Sequence, residues 1–471
     1  MSSVSAALRK PGLLLRLIRE SLAGGERDYT TETIGRAVVL LAVPMVLELL
    51  MESVFALVDI AWVSRLGTDA MAAVGLTEGL ISILYALAIG LGQGATALVA
   101  RRIGEGDPDG AAVAAVQAVV VAGVTSLLIA VPAGLAAPDL LRLMGGSPEL
   151  VATGSGYTRV LMAGNASIMF IFVINAVFRG AGDATRAMWV LWLANGVNMV
   201  LDPCLIFGWG PFPELGLTGA AVATTIGRGI GVVWQLVLLG RGGANIQVQR
   251  RHLRVRWSVM GRLVRISLGG IGQYLISTAS WVVLVRLVSG FGSSAVAGYT
   301  VAIRLIIFFL MPSWGVANAA ATLVGQNLGA GHPERAAQSA WRAGRYNAAL
   351  MTAIAVVFVV WARPLVAAFG TSAEVLAHGA ACLRIVAYGY GFYAFGMVMV
   401  SAFNGAGDTM TPTRINLGCY WLFQLPLAWA LAHPLGLGAS GVFTAIPVAE
   451  ALLTVVAVIL FRRGRWREGS I

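Results

Sequence analysis

Cysteine is scarce. Only Cys204, Cys382 and Cys419 occur in 471 residues, and all three lie in or beside apolar runs. Their odd number and wide spacing exclude a disulfide framework or a thiolate metal site and leave them as small buried hydrophobes. Lysine occurs once, at Lys10; the other 32 of the 33 lysines and arginines are arginine. Charge itself is low, at 12% of residues, against about 25% in soluble domains. No Walker A sequence is present, so ATP is not expected to drive the protein directly. His252, His332, His378 and His433 are scattered, and no HExxH, CxxC or nucleophile elbow appears. An enzyme is therefore not expected, nor any cofactor.

What remains is apolar. Hydrophobic residues make up 58% of the chain and the mean hydropathy is +0.80. Twelve apolar segments are expected at 37–64, 70–100, 111–136, 151–178, 187–207, 216–240, 263–290, 296–325, 345–362, 376–403, 412–432 and 436–461. Each is long enough to cross a bilayer, for which about 20 residues suffice. The fold class is thus an all-α polytopic membrane protein. Pro44, Pro312 and Pro447 are expected kinks. Residues 1–36 read as a basic leader without a cleaved signal peptide, with a short interfacial helix at Leu13–Ile18.

The net charge of +11 invites a nucleic-acid partner, but the basic residues sit in loops and tails. They fit lipid headgroups and topology instead. With the N-terminus placed in the cytoplasm, the leader holds six Lys/Arg and the tail after residue 461 holds four. Even-numbered connections hold fifteen, seven of them in 241–265. Odd-numbered connections hold only Arg65, Arg142 and Arg363. Both termini are therefore expected inside.

The polar connection at 241–262 separates two six-span halves, 37–240 and 263–461. They repeat each other at an offset of 225 residues: ALVARRIGEGDP from Ala97 matches TLVGQNLGAGHP from Thr322, and FRGAGD from Phe178 matches FNGAGD from Phe403. Repeated halves place a substrate site between them, near the midplane.

The repeat also acts as a control on intramembrane acids, which cost about 2.5–3.5 kcal/mol each on insertion scales. Asp59 aligns with Leu284, Asn198 with Phe423 and Asp202 with Leu427. The scaffold does not require acids there, which favours a specific role. Asn198 and Asp202 share a helix face. Asp59, Asp202 and Thr224 fall about 9–12 Å below the expected outer surface at 1.5 Å per residue, and Asn198 lies one turn from Asp202. Together they form a candidate oxygen-rich site for H⁺ or Na⁺. The alternative is a hydrogen-bonded polar network without a transport role. Glu48 and Glu52 share a face of the first span and either pair with arginines or face a cavity. Candidate lining for a lipophilic cation is Met162, Met169, Trp281, Met311, Trp314, Tyr388 and Phe392.

The 6+6 repeat, PMVLELLMESVFALVDIAWVSRLG in span 1, the GAGD elements and NMVLDP…LGLTGAAVAT across spans 5 and 6 resemble the multidrug and toxic compound extrusion (MATE) transporters. The resemblance covers 37–462. It implies a V-shaped two-lobe fold that exports organic cations in exchange for Na⁺ or H⁺. Carboxylates that one branch carries on spans 7 and 10 are missing here. The DNA-damage-inducible-protein-F-like branch uses residues that fall on Asp59, Asn198, Asp202 and Thr224. The expected setting is a bacterial inner membrane, with a monomer working in the bilayer and no nucleic-acid partner. The alternative function is a lipid-linked oligosaccharide flippase of the same superfamily.

Overall fold

A computed structural model describes residues 11–25, 27–243, 245–370 and 372–469, with backbone alone for 11–14. The first ten residues of the leader, Lys10 among them, and the last two of the tail lie outside the described residues.

The expected all-α architecture is what the structure shows, and no strand occurs among the described residues. Hydrocarbon cannot satisfy backbone N–H and C=O groups, so a spanning segment closes its own hydrogen bonds as a helix. A short α1 (Pro11–Ala23) covers the expected helix at 13–18. The first half follows as α2 (Ile34–Val63), α3 (Thr68–Gly104), α4 (Pro108–Leu135), the short α5 (Ala137–Leu143), α6 (Pro148–Ala163), α7 (Asn165–Gly180), α8 (Ala184–Phe207) and α9 (Leu217–Arg241). The second half holds α10 (Trp257–Ser289), α11 (Ser293–Gly329), α12 (Pro333–Ala367), α13 (Ala373–Ala387), α14 (Tyr390–Gly405), α15 (Met410–Asn416), α16 (Leu425–Ala432) and α17 (Ala439–Arg462). Among the described residues ten helical segments are long and apolar enough to cross a membrane singly, and two bent pairs, each taken as one span, make twelve.

Helix starts recur across the repeat. Ser147 caps α6 and Ser372 caps α13, each through its side chain. Asp183 accepts from the Arg186 N–H at 3.2 Å, and Asp408 from the Thr411 N–H at 3.1 Å. Pro44, Pro312 and Pro447 all lie inside continuous helices. The sharp breaks fall elsewhere. The fourth span bends by 43° between α6 and α7, and the tenth by 56° between α13 and α14. Gly164 and Gly389, one repeat apart, mark the two breaks. Glycine is needed at both because the last helix of each half crowds in. A Cβ on Gly164 would stand 2.8 Å from the Thr225 methyl, and one on Gly389 2.5 Å from the Pro447 Cβ.

Between α15 and α16 the helix is π-helical over Leu417–Gln424. A π turn inserts one residue. Its effect is visible just beyond. Leu215 N–H donates to the Leu205 carbonyl in the first half, and Leu437 N–H to Leu431 in the second. Leu205 thus stands opposite Leu431, one residue later than the offset of 225 requires. The counterparts of Asn198 and Asp202 become Gln424 and Ala428 rather than Phe423 and Leu427. Neither is an acid, so the contrast between the halves survives the correction.

The chain divides into two compact units. One comprises Asp28–Val46 and the chain from Gly272 onward, with α1 up to Glu20; the other comprises Ser21–Arg27 and Leu47–Ile271. The division runs through α2 and α10. The Leu47–Ile271 unit packs Ala73, Leu84, Tyr157, Leu161, Ile168 and Ile206 in its core. The other packs Leu284, Tyr299, Phe358, Tyr390 and Phe443, with the Tyr299 and Phe443 rings stacked 5.8 Å apart.

Candidate ion-coupling site

Small residues press α9 onto α8. Gly219, Ala223, Gly227 and Gly231 recur four apart and so share one helix face. A Cβ on Gly227 would stand 2.6 Å from the Ala194 carbonyl oxygen and 3.1 Å from the Asn198 Cβ. Seams of this kind hold membrane helices together by close backbone approach. This one brings the Asn198 Nδ2 to donate to the Thr224 Oγ1 at 3.0 Å.

One turn further along α8, Asp202 is fully buried. Neither of its carboxylate oxygens has a hydrogen-bond partner among the described residues. The Asn198 Oδ1 and one Asp59 carboxylate oxygen are likewise buried and unpartnered. Of the four expected residues, the structure therefore joins Asn198 and Thr224 directly, while Asp59 and Asp202 make no hydrogen bond to one another. Among the described residues no group of three or more His, Cys, Asp or Glu is placed to hold a metal ion. A cation here would rely on two carboxylates, an amide oxygen and a hydroxyl, a donor set suited to a hard cation.

Glu48 and Glu52, for which the sequence leaves pairing and cavity exposure open, are paired. Arg179 donates to Glu48 at 2.7 Å and Asn175 at 2.9 Å, while the Gln235 amide donates to Asn175 at 2.7 Å. Asn195 donates to Glu52 at 2.9 Å. Arg228 reaches Glu52 at 3.3 Å and the Tyr85 hydroxyl at 3.0 Å. At the repeat positions of Glu48 and Arg179 stand Gln273 and Asn404. These exchange two amide hydrogen bonds, of 3.0 and 3.2 Å. A charged pair in one half thus occupies the place of a neutral pair in the other.

The sequence reading missed Asn175, Arg179 and Gln235 as partners, although the spacing of Asn175 and Arg179 puts both on one face of α7. It also missed an aromatic cluster at the C-terminal ends of α2 and α8. Trp62 meets Phe207 at 6.2 Å and Trp209 at 5.8 Å, both edge to face. Trp62 lies one turn beyond Asp59, and aromatics at span ends are an interfacial signal.

The expected substrate-lining residues are dispersed. Met162 and Met169 are closed off in the packing of their own unit, at 3% and 0% exposure. Trp281 packs partly buried against the core of the other unit, Met311 is half-buried and Trp314 is exposed. Tyr388 and Phe392 line a cavity of about 830 Å³ within the second half.

Fold and site define a polytopic helical transporter built from two repeated units, with unpartnered buried acids in one of them. The profile of the MatE family matches residues 44–204 and 271–430. The chain belongs to this family, the multidrug and toxic compound extrusion transporters. It is 24% identical over 439 residues to a probable multidrug resistance protein NorM of Thermotoga maritima, covering 93% of this chain and 94% of that one. It is 27% identical over 440 residues to an FAD transporter of Shewanella oneidensis, covering 91% and 95%. A solved outward-facing multidrug resistance MATE transporter of the MOP superfamily superposes with a TM-score of 0.87 at 27% identity, over 94% of this chain and 98% of that one. A MOP superfamily transporter from Pyrococcus furiosus, whose reverse polarity of the binding pocket suggests a different function, superposes with a TM-score of 0.87 at 26% identity, over 94% and 98%.

Proposed function

We propose that the chain is a secondary active antiporter. It exports lipophilic organic cations in exchange for H⁺ or Na⁺, from a bacterial inner membrane with both termini in the cytoplasm. The observation that carries this reading is the contrast among the acids of the Leu47–Ile271 unit. Glu48 and Glu52 each have an arginine, whereas Asp202 is buried with both oxygens unpartnered. A buried carboxylate without a partner takes up a proton or a cation, because leaving it charged and alone costs several kcal/mol, about 2.5–3.5 on insertion scales. In this reading Asp59 shares that ion, and the Asn198 Oδ1 supplies a further acceptor. The site thus follows the DNA-damage-inducible-protein-F-like pattern.

Coupling follows from differential affinity. One conformation of the carrier holds the ion at Asp59 and Asp202, the other releases it and accepts substrate, and the ion gradient biases the exchange. In bacteria lacking their own efflux pumps, the native chain should confer resistance to lipophilic cations. Asp59→Asn and Asp202→Asn should each lower it at least tenfold, towards the pump-free level, with unchanged membrane content. Full resistance in both variants would sink the reading.

A further inference from the structure

The cavity of about 830 Å³ lies in the second half, among α12, α13, α14 and α17, beside the break at Gly389. Its lining includes Val356, Val359, Val455 and Ile459. The Thr454 hydroxyl is satisfied within the wall, donating to the Phe392 carbonyl at 2.7 Å. The wall therefore offers hydrocarbon contact and asks little of a polar ligand.

Both helices that supply most of this wall carry an arginine on the face of their lining stripe. On α12 the stripe runs through Trp341, Ala348, Thr352 and Val359, and Arg345 falls on the same face, four residues after Trp341. On α17 it runs through Thr454, Val455, Val458 and Ile459, and Arg462 follows four residues after Val458. The Arg462 guanidinium lies 5.4 Å from the centre of the Trp341 ring, at the mouth of the cavity. Arg467 is taken by Glu334, whereas Arg345 and Arg462 are exposed and form no ion pair among the described residues. From Arg345 to Val359 the groove runs roughly 20 Å at 1.5 Å per residue. That is enough to cross one leaflet of a hydrocarbon core about 30 Å thick.

We propose that this groove binds an anionic phospholipid, with an acyl chain in the cavity and its phosphate on Arg345 and Arg462. Basic pockets between membrane helices recognise anionic headgroups in this way. In the topology of the proposed function the arginine end faces the cytoplasm, so the site draws on the inner leaflet. It also makes Tyr388 and Phe392 lipid contacts instead of substrate contacts.

The test uses the purified full-length chain in detergent, without transport, so it is independent of the antiport reading. Phosphatidylglycerol or phosphatidylcholine is added, and bound lipid is counted by native mass spectrometry alongside thermal unfolding. The native chain should retain phosphatidylglycerol over phosphatidylcholine by at least tenfold and unfold several degrees higher with it. The double variant R345Q/R462Q should lose one phosphatidylglycerol per chain and its thermal shift, while keeping the lipid-free unfolding temperature. Val356→Trp, which fills the groove at an exposed position, should do the same with both arginines intact. Equal retention of the two lipids, or unchanged phosphatidylglycerol binding in both variants, would overturn the proposal. So would a Val356→Trp variant that loses binding of a fluorescent organic cation but keeps phosphatidylglycerol binding.

Discussion

Asp202 and Glu48 show how the same residue class takes opposite roles within one unit. Both are buried acids, but Glu48 has Arg179 at 2.7 Å and Asp202 has no hydrogen-bond partner among the described residues. Removing one member of a buried pair strands the other, at about 3–5 kcal/mol. Arg179→Asn alone should therefore lower the unfolding temperature sharply. The double change E48Q/R179N rebuilds the amide pair of Gln273 and Asn404 and should restore most of the loss. A double-mutant cycle followed by thermal unfolding reads the coupling directly. An additive result would mean that the ion pair is not a unit. Asp202→Asn, in contrast, should leave stability equal or higher, because no base is stranded when its carboxylate is removed. The acids themselves were legible in the sequence, and the repeat singled out Asp59 and Asp202. Which of them had a base was not, because that depends on which helices are neighbours.

At the level of the element, the α8–α9 seam decides whether the site exists. Gly227→Leu would drive a side chain into the Ala194 carbonyl and the Asn198 Cβ. Overpacking of this kind costs about 1–3 kcal/mol. The variant should unfold earlier and lose ion-coupled transport together, since Asn198 and Thr224 would separate. Gly229→Leu, at a position with open space around it, should do neither, and equal damage from both would show that the seam is not what positions the pair. The caps make a smaller prediction: Asp183→Ala and Asp408→Ala should each cost about 1 kcal/mol by thermal unfolding. Spans and repeat were readable because they follow local composition. The breaks at Gly164 and Gly389 were not, because a glycine in an apolar run does not reveal the helix that crowds it. The extra residue of the π segment was hidden for a related reason. It changes no motif and shows only when the bonds beyond it are compared.

For the whole molecule, the repeat explains how a single scaffold carries two differently charged halves. The Leu47–Ile271 unit carries the ion pairs of Glu48 and Glu52 and the unpartnered Asp202, while the other unit has an amide pair and an apolar cavity. Fold and family were both legible from the sequence, since twelve apolar segments at one offset leave few alternatives. The lining of a substrate cavity was less so, because methionines such as Met169 look alike whether they fill a core or face a ligand. The central claim is that ion coupling resides at Asp59 and Asp202. Its most direct test is efflux of a fluorescent organic cation from vesicles under separately imposed H⁺ and Na⁺ gradients. The native chain should export against its gradient with one of the two ions, and the Asp59→Asn/Asp202→Asn double variant should export with neither. Full gradient-driven export by the double variant would contradict the account.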